Sequence, residues 1–161
     1  MIRPAAAADF RDILALNKES VHFLSPLDWT RLEQLDAQRA YHRVVEKDGE
    51  VIAFLIALRE GTDYDSPNYT WFCEQYKKFL YIDRVVVSSA HRGKGIARRL
   101  YEDLFAFARE TGVGKVAAEF DLEPPNEASR LLHESFGFTE VGTQWVAAGK
   151  KRVSLQIAPV T

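Results

Sequence analysis

The stretch Val85-Val86-Val87-Ser88-Ser89-Ala90-His91-Arg92-Gly93-Lys94-Gly95-Ile96-Ala97 runs from an apolar segment, through a turn with two closely spaced glycines, into an amphipathic segment. A strand that meets a helix across such a turn has the geometry of an anion site. Glycine lets the backbone approach a ligand closely. The free amides at the helix start donate to phosphate oxygens, and Arg92 and Lys94 add positive charge. A pyrophosphate suits that arrangement. The spacing lacks the third glycine of a dinucleotide-binding fingerprint and the four-residue gap of a P-loop. With no Gly-x-Ser-x-Gly motif in the chain, Ser88 and Ser89 read as turn residues or phosphate contacts rather than acylated nucleophiles.

Downstream, Ile96, Leu100, Leu104 and Phe107 recur at helical spacing, and Gly112 supplies a stop. Upstream, Leu80 to Val87 is a strand, apolar apart from Asp83 and Arg84. Further out, Asp48-Gly49 predicts a tight hairpin between Val44-Val45 and Val51-Ile56. Ile2 and Arg3 are extended. Phe10, Ile13, Leu14 and Leu16 mark a first helix, which breaks around Ser25-Pro26. Asp28 caps a second helix, with Leu27 and Leu32 at the spacing of a hydrophobic staple. Towards the C-terminus a strand over Lys115 to Asp121, a helix capped by Asn126 and ending near Gly137, and two strands around Gly149 complete the order. The expected fold class is α/β (α+β): a mixed, mostly antiparallel central sheet flanked by helices. The polar and aromatic connection 61–79 is a candidate lid over an acceptor site.

The length of 161 residues fits a single domain spanning 1–161. With 47% apolar and 27% charged residues the chain can bury a substantial core. A formal charge of -2 argues against a nucleic-acid binder that relies on a broad positive field. Cys73 stands alone, which excludes an intrachain disulfide and a cysteine-based zinc cluster. His22, His42, His91 and His133 show no metal-ligand spacing, so no metal is expected. The apolar run Val51 to Leu58 is far short of the roughly 20 residues of a membrane span, so no membrane partner is expected. Asp9, Arg11 and Asp12 interrupt the N-terminal alanines before they resemble a secretory signal, which makes a cytoplasmic location the expectation. On that basis Asn68-Tyr69-Thr70 matches the glycosylation pattern by chance.

The segment Arg92-Gly93-Lys94-Gly95-Ile96-Ala97 resembles the acyl-CoA pyrophosphate signature Q/R-x-x-G-x-G/A of the GNAT acetyltransferase superfamily, and the Val-Val-Val strand before it fits the same pattern. A second segment, Pro125 to Phe138, resembles that family's asparagine-to-Gly-Phe motif after the fifth strand. The resemblance covers nearly the whole chain from Ile2. It is less specific over 17–40 and 61–79.

The resemblance implies a splayed GNAT-like sheet and direct transfer of an acetyl group from the cosubstrate acetyl-CoA to a primary amine, without a metal. It carries Val85, Val86 and Val87 over as backbone contacts to pantetheine and the thioester. The amides of Arg92, Gly93, Lys94, Gly95, Ile96 and Ala97 become pyrophosphate contacts, and Asn126 a neighbour of pantetheine or the leaving sulfur. His133 stands where many members place a tyrosine that protonates the departing thiolate. It either retains that acid role, touches the cofactor without catalysing, or lies exposed.

An attacking amine must lose a proton, and Asp83 and Glu119 are the candidate bases. Asp83 has pairing with a nearby arginine as its structural alternative. Glu119 is preferred to Asp121 on the expectation that the two cannot face one cleft. The acceptor is a small-molecule amine or a peptide amine, unidentified by sequence. Tyr64, Tyr69, Trp71, Phe72 and Tyr76 either line its pocket or cover the sheet. A homodimer is a candidate state. The rival reading is a noncatalytic GNAT-like module that binds acyl-CoA.

Overall fold

The computed structural model describes residues 1–20 and 24–161; His22 lies outside the described residues. Seven strands, β1 (Ile2–Pro4), β2 (Tyr41–Lys47), β3 (Glu50–Arg59), β4 (Leu80–Val87), β5 (Lys115–Glu123), β6 (Thr139–Val146) and β7 (Lys151–Pro159), form one mixed sheet in the order β1-β2-β3-β4-β5-β7-β6. Among the described residues there are five α-helices: α1 (Phe10–Glu19), α2 (Trp29–Gln38), α3 (Pro67–Gln75), α4 (Ile96–Glu110) and α5 (Glu127–Ser135). The expected fold class is the observed one, and none of the described helices is long and apolar enough to cross a membrane. The chain divides into two compact units.

The first unit comprises Met1–Leu58 and Ile82–Leu104. Asp48 and Gly49 have φ of 52° and 78°, the positive values of a primed two-residue turn, and close β2 onto β3 with Lys47 opposite Glu50. Residues 51–58 of β3 are all buried, the pattern of a strand covered on both faces. On one face lie Phe10, Ile13 and Leu16 of α1 and Leu32 of α2, packed with Val44, Phe54, Ile56 and Val86. The amide of Arg31 donates to Asp28 Oδ1 at 2.7 Å, so Asp28 caps α2 as its sequence suggests, and Leu27 packs against the cluster that holds Leu32. At α4, Asp103 Oδ2 accepts from the Tyr41 hydroxyl and from Arg43 Nη1, each at 2.7 Å, which ties the helix to β2.

The second unit comprises Arg59–Tyr81 and Phe105–Thr161. The connection 61–79 contains α3, with Pro67 in its first turn, where a missing amide proton costs nothing. Tyr64, Tyr69, Phe72, Phe79 and Tyr81 form a buried aromatic cluster, with Tyr69 and Tyr81 centroids 5.5 Å apart. The Tyr69 hydroxyl donates to Arg59 O at 2.6 Å and accepts from the Thr62 amide at 3.0 Å, so it fixes the start of the connection. The segment is therefore a helix with its own core rather than an irregular loop. Tyr69 and Phe72 lie three apart on its buried face, a helical spacing that the expectation of a lid did not use. β4 and β5 pair in parallel at Leu80↔Val116 and Tyr81↔Ala117, while β7 pairs antiparallel with both β5 and β6. Gly112, at φ 73°, ends α4, and Asn126 Oδ1 accepts from the Ser129 amide at 3.3 Å to open α5.

Candidate functional site

In the first unit the turn after β4 has the geometry expected of an anion cradle. Gly93 and Gly95 sit at φ 77° and 76°, and a Cβ at either would meet no heavy atom within 4 Å. The backbone conformation, not crowding, requires glycine there. The Arg99 amide donates to Gly95 O at 3.1 Å as α4 begins, which leaves the preceding amides outside the helical ladder. Arg92 Nη2 donates to Ser20 Oγ at 3.2 Å, and Ser89 Oγ donates to Glu19 Oε1 at 3.1 Å, so the end of α1 braces the turn. Val86 is buried, while Val85 and Val87 are half-buried. Beside the turn is a cavity of about 350 Å³ whose lining includes Val45, Ile52, Lys47, His91, Lys94 and Arg99. Lys47, Lys94 and Arg99 form no ion pair among the described residues, so this flank is electropositive.

Asp83, on the same unit, is engaged in the way its sequence alternative foresaw. Its Oδ2 accepts from Arg84 Nε at 2.6 Å, and both side chains are almost fully buried. Arg84 Nη1 also donates to Asn17 Oδ1 at 3.0 Å.

In the second unit, Glu119 Oε1 accepts from the Tyr81 hydroxyl at 2.9 Å and from Asn68 Nδ2 at 3.2 Å. Gln144 Nε2 in turn donates to Asn68 Oδ1 at 3.1 Å. Sequence reasoning missed these three partners. In the sequence Asn68 reads only as a chance glycosylation match, and no local signal links residues 68, 81, 119 and 144. The expectation about Asp121 needs correction: residues two apart on a strand share a face, so Glu119 and Asp121 point to the same side of β5. What separates them is partnership. Asp121 lies 3.4 Å from Lys151 Nζ, and burial pushes its carboxyl above the usual range against the pull of that ammonium.

His133 is 3% exposed, which rules out the exposed alternative. Its ring packs against Phe138 and Phe120 at centroid distances of 4.9 and 5.6 Å. Nδ1 donates to Ser129 O at 2.6 Å, which makes Nε2 the unprotonated nitrogen of the neutral ring. Burial holds this imidazole below its ordinary pKa. Asn126 spends its Oδ1 on capping α5.

Residues 8–138 match the model of the Acetyltransferase (GNAT) family. The chain belongs to that family. Among its relatives are N-acetyltransferase family 8 member 2 of Rattus norvegicus, 33% identical over 71% of this chain and 45% of the relative, and the L-methionine sulfoximine/L-methionine sulfone acetyltransferase of Salmonella typhimurium, 29% identical over 76% of this chain and 63% of the relative. The aligned region thus spans about half to two thirds of those relatives' length. The fold matches yncA of Salmonella typhimurium, solved with its cofactor acetyl-CoA, at a TM-score of 0.74 and 22% identity over 100% of this chain and 94% of that one. The GNAT chain's Arg92-to-Ala97 turn lies inside the matched residues, as do Glu119, Asn126 and His133.

Proposed function

We propose that this GNAT chain is an acetyl-CoA-dependent N-acetyltransferase that moves the acetyl group directly to a primary amine. The observation that carries the reading is the Gly93/Gly95 turn at the start of α4, within a segment that matches the family model. Supporting it are the names of its relatives, both acetyltransferases, and the acetyl-CoA in the yncA structure. The turn fits a pyrophosphate: its backbone leaves room where side chains would stand, and Arg92 and Lys94 flank it. Acetyl-CoA supplies an activated thioester. The amides from Arg92 to Ala97 hold its pyrophosphate, and the backbone of Val85, Val86 and Val87 orients the pantetheine arm. Asn126 contributes at the start of α5.

In the reaction the amine nitrogen bonds to the carbonyl carbon and the carbon–sulfur bond breaks. Glu119 accepts the amine proton, and the thiolate takes up a proton to leave as CoA. Asp83, held by Arg84, is the second base candidate. For His133 to serve as the acid it must carry a second proton on Nε2, which burial opposes. The acceptor class includes amino acid amines and peptide amines. The reading carries a cytoplasmic location, and sedimentation equilibrium checks the homodimer.

Calorimetric titration with acetyl-CoA, repeated with Arg92→Ala and Gly95→Glu, tests the cofactor site, and CoA release across amines and peptides tests transfer. Saturable binding weakened in both folded variants, with acceptor-dependent release, supports the enzyme. Binding without transfer to any acceptor turns the assignment to a binding module. In the same assay Glu119→Gln, Asp83→Asn and His133→Phe separate the proton-transfer roles, and unchanged turnover removes the role from that residue.

A further inference from the structure

The surroundings of Glu119 contain a directional chain of hydrogen bonds. The Glu119 carboxylate only accepts, so the Asn68 atom that faces its Oε1 at 3.2 Å is Nδ2, which turns Asn68 Oδ1 to β6. There Gln144 Nε2 donates to it at 3.1 Å and holds the amide in that direction. The Tyr81 hydroxyl, on a fully buried ring, donates to the same oxygen at 2.9 Å. One carboxylate oxygen therefore takes two donors, from α3 and β4, while a third residue on β6 sets the orientation of one of them. Asp121, on the same face of β5, is drawn to Lys151 instead and does not compete for these donors.

We propose that Asn68, oriented by Gln144, and Tyr81 are positioning residues that hold the Glu119 carboxylate in one rotamer for proton acceptance from the amine. The proposal rests on the reading of Glu119 as the base. Two donors on Oε1 fix the direction of that oxygen. What they supply is placement, and misplacement of a reacting group by 1 Å costs on the order of a hundredfold in rate. Asn68 and Tyr81 are buried, so this geometry is locked by packing.

The test is steady-state kinetics on the full chain, with an acceptor identified by the CoA-release screen, for Gln144→Leu, Gln144→Glu, Asn68→Ala, the double variant Asn68→Ala/Gln144→Leu, and Glu119→Gln. Gln144 is half-buried and distant in sequence, and thermal melts confirm that each variant is folded. Gln144→Leu is expected to lower kcat about tenfold with the KM for acetyl-CoA unchanged. Gln144→Glu keeps the volume but accepts where glutamine donated. It therefore turns Asn68 Oδ1 towards Glu119 and lowers kcat further, whereas a packing role would tolerate it. Because Gln144 acts through Asn68, the double variant is expected to be no slower than Asn68→Ala alone. Wild-type kcat in Gln144→Glu, or losses that multiply in the double variant, overturns the proposal. Glu119→Gln separates the two failures: if it retains full kcat, the base assignment falls. If it is inactive while the Asn68 and Gln144 variants are not, only the positioning role falls.

Discussion

The indole of Trp71 fills the space that a side chain at Gly142 would need: a Cβ at Gly142 would lie 2.7 Å from Trp71 Cζ2. Gly142 sits where β6 slips register against β7, so α3 packs onto the strand at its irregular point. Gly142→Ala is expected to destabilise the protein by about 1–3 kcal/mol through overpacking. Trp71→Phe in the same chain should recover part of the loss, since it deletes the atoms in conflict. Denaturant melts of the two single variants and the double variant measure this coupling.

Burial lowers the pKa of two imidazoles, His42 and His133. The side chain of His42 is fully buried, and its Nδ1 lies 2.7 Å from Asp36 Oδ1; desolvation outweighs the pull of that carboxylate. In the unfolded chain both titrate near about 6.5. The unfolded state therefore binds protons first on acidification. The stability linked to these rings is complete above that pH and is lost as pH falls towards the folded values. Equilibrium unfolding from pH 8 to pH 5 should show wild type losing stability faster than His133→Phe, with a slope difference below about 1.4 kcal/mol per pH unit. Equal slopes would show that His133 titrates alike in both states.

Gly95→Ala places a Cβ on a residue at φ 76°, at a strain of about 1–2 kcal/mol. Because the turn forms the proposed pyrophosphate cradle, acetyl-CoA affinity should fall about tenfold, the equivalent of 1.4 kcal/mol. Gly61→Ala is the matched control: φ is 83°, nothing lies within 4 Å of its Cβ, and it stands outside the turn. Calorimetry should find its affinity unchanged. Equal loss in both would trace the effect to general destabilisation.

Arg84→Met removes the guanidinium that Asp83 meets at 2.6 Å inside the protein. Breaking a buried pair from one side costs about 3–5 kcal/mol. The double variant Asp83→Asn/Arg84→Met should recover much of that, because no charge is then stranded by the change. Thermal unfolding checks the order: Arg84→Met least stable, the double variant between it and wild type.

The elements that local chemistry specifies were legible in the chain. The Asp48-Gly49 hairpin, the Asp28 and Asn126 caps, the stop at Gly112 and the glycine turn before α4 each depend on a few neighbouring residues, and each occurs where the sequence puts it. α3 was passed over although Tyr69, Phe72, Cys73 and Tyr76 recur at helical spacing, because the segment is short and the partners of its apolar face, Phe79 and Tyr81, come from further along the chain.

The sequence by itself determined the family, the order of the strands and of every helix but α3, and the anion-binding turn, because backbone dihedrals and caps are set by residues one to four apart. Tertiary structure alone decided the environments on which proton transfer depends. It buried His133 between Phe120 and Phe138, paired Asp83 with Arg84, and gathered Tyr81, Asn68 and Gln144 around Glu119. The last two groups differ in kind: Asp83 and Arg84 are adjacent, yet only burial makes their contact strong, whereas Asn68 and Gln144 are 76 residues apart and meet only through the fold. Desolvation and the direction of an amide are properties of the packed interior, and no spacing along the chain encodes them.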